Sequence, residues 1–272
     1  MRRRAIMTGA AAGLAGATVS AAVGAAPAQA ADTSVRLDQI QLISLSHVND
    51  PATTNVYPGD PPFELETVAT IPVDGFYMQY VREGEHTGTH WGAPGHFNEG
   101  EALADDMDPN DLFLNAVKID ARAKVAHNAD YALTIDDIKA WERRYGRIPN
   151  GSMVIMWTGW DSRWSTPRYP NLDADGVIHQ PGFSADAASW LIETGRLGYN
   201  GGLGTDTFGP DLGIDSTYAV STMLYHYRRI TLENLTNLGQ LPVTGARTLV
   251  GGPINKNGSG STALIYGVIP RR

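Results

Sequence analysis

Along residues 35–50, "VRLDQIQLISLSHVND", apolar and polar positions alternate around residues 42–45. A period of two is that of a strand, so this segment is expected to be extended and to enter a loop. After the turn cluster "YPGDPP" come two strand-like runs, residues 63–71 and 76–82. They are expected to pair antiparallel and to lead into the segment that follows. Residues 116–120 read as a short strand, and the apolar run of "SMVIMWTGW" as a buried one.

Two helices carry explicit start and stop signals. "LTIDDIKAWERRYG" places Thr134 at the N-cap, Asp136 and Asp137 in the first turn, Arg143 and Arg144 in the last, and Gly146 at the stop. "FSADAASWLIETG" repeats the pattern with Ser184 as cap and Gly195 as terminator. A third helix is expected over residues 217–227, then a short strand or turn into "LENLTNL", with "ARTLVGGPI" and "TALIYGVIP" as closing strands. Strands outnumber helices and enclose them, which makes the class mixed α/β. No linker, charge run or repeat divides the chain, so residues 31–272 are expected to form one domain.

The first thirty residues change the picture. "MRRRAIMTGAAAGLAGATVSAAVGAAPAQA" runs from a basic cluster with paired Arg3 and Arg4 through an Ala/Gly-rich stretch to "AQA". This reads as a twin-arginine export signal cleaved after Ala30. A retained anchor is the alternative, but interior glycines and scarce Leu and Ile make a poor spanning helix. Cleavage removes three arginines and no acid, taking the formal charge from -8 to -11. Nucleic acid and anionic membranes are thereby disfavoured as partners. The chain has no cysteine, so a metal would have to rest on nitrogen and oxygen.

The densest chemistry lies in "EHTGTHWGAPGHF", residues 85–97, which holds His86, His90 and His96 among Gly88, Gly92, Pro94 and Gly95. Helix formation is opposed by Thr87, Gly88, Thr89, Gly92 and Pro94. In an extended chain residues 86, 88, 90 and 92 share a face, so both histidines still converge. Gly88 would then leave room for an ion or substrate near the backbone. Two neutral imidazoles plus a carboxylate make an open catalytic metal site, but the next position on that face is Gly92. The third ligand must come from elsewhere or be water. His96, beyond the turn at Pro94, suits a general acid or base. The bland alternative is three loop histidines satisfied by backbone, which their density argues against. His127, His179 and His226 are isolated, while His47 follows a strand and is placed to enter a site from a neighbouring loop.

"HTGTHWGAPGHF" resembles the histidine signature His-x-Gly-Thr-His-x-Asp-x-Pro-x-His of the cyclase family, which includes bacterial kynurenine formamidases and isatin hydrolases. The resemblance extends through "YPGDPPFE", "HFNEGEALADDMDPNDLFLNAVKID", "GTDTF" and "LENLTNL". It implies a swivelling β/β/α fold, homo-oligomers, and hydrolysis of an amide or related bond with zinc or manganese. Carried over, it makes His86, His90 and Glu233 metal ligands and His96 the catalytic histidine. Two positions depart from it: Gly92 replaces an aspartate ligand, and Ser221 stands where a later metal-binding histidine is expected, His226 being displaced from that place. Asp206, Glu99 and Glu101 are reserve carboxylates.

The resulting expectation is an exported hydrolase with one zinc or manganese ion, acting on an amide, lactam or ester of a small molecule. Tyr57, Trp91, Phe97 and Trp160 suggest an aromatic substrate, although each also suits packing. A non-hydrolytic cyclase or dehydratase, and a degenerate family member that only binds a ligand, are the alternatives. If Gly92 is a simple loss, Gly92→Asp should strengthen metal binding.

Overall fold

In the computed structural model, which describes residues 37–271, the apolar run Met153–Trp157 is the middle strand of a nine-stranded sheet. The strands in chain order begin with β1 (Ile40–Ser44), β2 (Glu64–Ala69), β3 (Met78–Arg82), β4 (His90–Gly92) and β5 (Phe113–Asp120). They continue with β6 (Ala132–Leu133), β7 (Met153–Trp157), β8 (Gly182–Phe183), β9 (Gly202–Thr205) and β10 (Ile230–Glu233). β11 (Ala246–Gly251), β12 (Gly260–Thr262) and β13 (Leu264–Pro270) close the chain. The large sheet has the order β1-β13-β11-β5-β7-β9-β10-β4-β12. Its four central strands, β5, β7, β9 and β10, are parallel and its flanks antiparallel. The helices are α1 (Ile71–Asp74), α2 (Arg122–Val125), α3 (Ile135–Tyr145), α4 (Ala185–Glu193) and α5 (Ala219–Leu224).

The period-two alternation of β7 explains why its sequence is apolar throughout. Val154 and Met156 pack with Ile138 of α3, Leu191 of α4 and Leu224 of α5. Met153 and Ile155 point into a second core with Ile43, Trp91 and Leu232. A parallel strand covered on both faces needs apolar residues at every position. The sequence signals at α3 hold in detail: Thr134 accepts from the Asp137 amide, and Asp137 returns a bond to the Thr134 amide. Ser184 caps α4 with a single bond, its hydroxyl accepting from the Ala187 amide.

Three local expectations change. The run 63–71 pairs antiparallel with β3 as expected, but stops at Ala69, because Ile71–Asp74 makes a single helical turn with Pro72 at its start. The helix expected over 217–227 is only Ala219–Leu224: Tyr218 sits at φ 51, outside the helix, and Tyr225 leaves it. Residues 86–92 are not extended throughout, since Gly88 has φ 62 and only His90–Gly92 is strand. The export signal read at residues 1–30 lies outside the described residues, and no described helix is long and apolar enough to cross a membrane.

Candidate active site

Strand register builds the centre of the site. β10 runs antiparallel to β4, with Glu233 opposite His90 and Thr231 opposite Gly92. Directly opposed residues project on the same face of a sheet, so the glutamate and the imidazole meet. His90 Nε2 lies 3.2 Å from Glu233 Oε2, with both side chains largely buried. The other nitrogen, Nδ1, donates to the Gly88 carbonyl at 2.9 Å, because a carbonyl can only accept. That carbonyl also accepts from Asn234 Nδ2 at 2.8 Å, while the Tyr169 hydroxyl donates to Asn234 Oδ1 at 2.7 Å. This outer ring of bonds fixes the tautomer and aim of His90. Its Nε2 has no hydrogen-bond partner among the described residues. Burial is the largest influence on His90 and opposes its protonation, but Glu233, the Gly88 carbonyl and Asp60 together outweigh it and raise the pKa.

His86 and His96 stack face to face, with ring centres 3.8 Å apart, and His86 meets His90 edge-on at 5.0 Å. The turn at Gly88, not a shared strand face, produces this convergence. The space at Gly88 is also spoken for: a Cβ there would lie 2.2 Å from Asn49 Oδ1. Ser259 Oγ donates to Glu85 Oε2 at 2.8 Å, and therefore accepts from His86 Nε2–H, also at 2.8 Å. Only Nδ1 of His86 keeps a lone pair. Burial, followed by the neighbouring His90 and His96, pushes its pKa down to about 2, so it is neutral. His96 is open to the cavity, and loss of hydration lowers its pKa as well.

The three rings and Glu233 line a cavity of about 540 Å³ whose walls include Tyr57, Phe97, Phe208 and Tyr218. The Tyr57 and Tyr218 hydroxyls are 3.0 Å apart. Asp60 also lines the cavity and acts electrostatically on His90 and His96. Of the expected aromatics, Tyr57 and Phe97 reach this space, whereas Trp91 and Trp160 are core residues with bonded indole nitrogens.

The other candidates lie elsewhere. Asp206 is buried and accepts from the Thr158 amide and hydroxyl and from the Trp160 amide, at 2.7 to 2.9 Å. Burial raises its carboxyl pKa to about 6. Glu101 accepts from His226 at 2.8 Å, which accounts for both residues, and Glu99 is exposed. Ser221 lines the cavity but is bonded to Asp211. His47 does not enter; its ring stacks on Trp164 at 4.3 Å and its amide donates to Thr89.

With Nδ1 committed to the Gly88 carbonyl, His90 Nε2 beside Glu233 Oε2 would, once it gives up its proton, offer a nitrogen and an oxygen donor to one flank of a divalent cation. His86 presents only Nδ1, however, and among the described residues no group of three His, Asp or Glu side chains is gathered tightly enough to hold a metal. Sequence reasoning missed Asp60, Tyr225, Thr231 and Asn234. Thr231 was accessible, since it shares the period-two face of Glu233. Tyr225 gave no local signal.

The fold and this histidine cluster define the class: the chain belongs to the cyclase family, whose model, described as "Putative cyclase", matches residues 43–212. It is 31% identical to an isatin hydrolase of Roseibium aggregatum over 220 residues, 78% of this chain and 82% of that protein. Isatin hydrolase A from Labrenzia aggregata, solved with benzyl benzoate, superposes with a TM-score of 0.78 at 30% identity, over 85% of this chain and 94% of the other. An isatin hydrolase bound to the product analogue thioisatinate gives 0.78 at 27%, over 86% and 94%.

Proposed function

We propose that this chain is a hydrolase that opens an amide or lactam bond in a small planar molecule, with one zinc or manganese ion between His90 and Glu233. The observation that carries the reading is the buried His90 Nε2 paired with Glu233 Oε2 at 3.2 Å at an aromatic-walled cavity. Similarity to isatin hydrolases supports the reaction class, isatin being a lactam fused to a benzene ring. Tyr57, Phe97 and Tyr218 suit such a ring. His86 contributes Nδ1 as the remaining nitrogen donor of the set.

A cation held there polarises a carbonyl and makes water more acidic. The chain's own residues do the rest. His96, kept neutral by its surroundings, accepts a proton from water as the new C–O bond forms at the carbonyl carbon. The stacked His86 gives the resulting imidazolium no hydrogen-bonding anion, which favours delivery of that proton to the leaving nitrogen as the C–N bond breaks. Asp60 sets a negative charge facing both rings at the cavity.

The test is spectrophotometric ring opening of isatin alongside metal analysis by mass spectrometry. Near one equivalent of zinc or manganese is expected, lost in Glu233→Gln. His96→Ala should lower kcat about 100-fold or more while KM changes little. Absence of turnover by metal-loaded protein on isatin and simple formanilides would contradict the reading. The lack of a three-residue metal cluster among the described residues favours, as second reading, a family member that binds a ligand without turnover; metal-free protein with undiminished ligand affinity would select it.

Two further proposals concern the cell and the assembly. The N-terminal residues export the chain by the twin-arginine route. The chain forms a homo-oligomer through the β2–β3 hairpin, where Ile71, Val73, Phe76, Tyr77, Met78 and Tyr80 are each half or more exposed. A contiguous exposed apolar patch of this kind is what a subunit interface covers.

A further inference from the structure

The space beside Gly92 is full. A Cβ at this position would lie 2.0 Å from the Tyr225 hydroxyl oxygen, 2.9 Å from Thr231 Oγ1 and 3.0 Å from Tyr225 Cζ. Tyr225 is fully buried, with its ring stacked on Phe97 at 5.7 Å. Asn98 anchors the turn that carries it, donating to the Tyr225 carbonyl at 2.7 Å and the Thr222 carbonyl at 2.9 Å. Thr231 has one hydroxyl proton, and it goes to Glu233 Oε1 at 2.6 Å. The 2.6 Å contact between Tyr225 and Thr231 therefore has tyrosine as donor. The chain of bonds runs Tyr225 to Thr231 to Glu233 Oε1, and leaves Oε2 facing His90.

We propose that Tyr225 is a positioning residue: its hydroxyl fills the place a side chain at position 92 would take and, through Thr231, holds Glu233 with one carboxylate oxygen tied and the other presented to His90. This deepens the reading of His90 and Glu233 as the working pair. Gly92 is then one half of a paired arrangement whose other half is Tyr225, which is why nothing larger than glycine fits while the tyrosine is present. The earlier expectation for Gly92→Asp reverses accordingly, since the aspartate must first displace a buried hydroxyl.

Two measurements test this without substrate or metal. In the first, ¹⁵N spectra of the imidazoles are recorded for Tyr225→Phe, Thr231→Val and Thr231→Ser. Tyr225→Phe and Thr231→Val should shift the His90 nitrogen resonances, and Thr231→Ser, which keeps the hydroxyl, should restore the parent position. A packing role alone would not follow the hydroxyl in this way. In the second, Gly92→Ala is introduced into the parent and into Tyr225→Phe, and melting temperatures are compared. The loss should be at least halved in the phenylalanine background. Unchanged His90 resonances in both Tyr225→Phe and Thr231→Val, or equal losses from Gly92→Ala in the two backgrounds, would overturn the proposal. Failure to bind manganese would instead count against the hydrolase reading and leave these two results standing.

Discussion

Single residues in this protein are set by what faces them, and His47 shows how far that can depart from expectation. Placed by sequence near a site, it lies against Trp164, and burial lowers its pKa from 6.5 to about 4. A histidine kept neutral in the fold binds fewer protons than in the unfolded chain. Its contribution is complete above pH 6.5 and is lost as pH falls through about 4, amounting to at most about 3 kcal/mol. Asp206 acts in the opposite sense: with its pKa raised to about 6, the folded state takes up protons below that pH and is favoured there. The raw acid limb is therefore a sum, and the difference between parent and His47→Gln isolates one part. Denaturant midpoints between pH 4 and 7 should fall more steeply in the parent than in His47→Gln. Parallel curves would place His47 in water.

Elements with complete local signals were legible in sequence, and those decided by long-range contacts were not. Helix α3 carries its cap, first-turn acids and terminal glycine within its own residues, and forms as read. Helix α5 lacks them. Its start is set by Asp211 and Asp215, which accept amide hydrogens from Val220, Ser221 and Ala219, and by the left-handed Tyr218. The histidine cluster was recognised as a cluster, but its backbone was misread because Gly88 turns where an extended chain was assumed. Its partners arrive from β10 and from the segments bearing Tyr225 and Ser259, contacts that span six to 173 positions or arise from strand register. The hairpin β2–β3 was foreseen as a pair, yet its exposure was not, since alternation does not say what covers a face. Val73→Glu with Phe76→Glu should convert an assembly to monomer in analytical ultracentrifugation while leaving the melting temperature within a few degrees. An unchanged sedimentation coefficient would locate the interface elsewhere or show that none exists.

At the scale of the molecule, a doubly covered parallel core carries a less regular antiparallel edge, and the cavity opens at that edge. Rigidity comes from β5, β7, β9 and β10; the working side chains sit on β4 and at the end of β10, where short strands let turns bring in His86 and His96. The family signature thus survives as an arrangement of rings and one carboxylate, with Tyr225 taking up the volume beside Gly92. The most direct measurement is a crystal grown with manganese, with anomalous scattering recorded at the manganese edge. The account predicts one peak per chain within bonding distance of both His90 Nε2 and Glu233 Oε2. Density for solvent alone between those two atoms, at a manganese concentration that saturates the protein in solution, would contradict it.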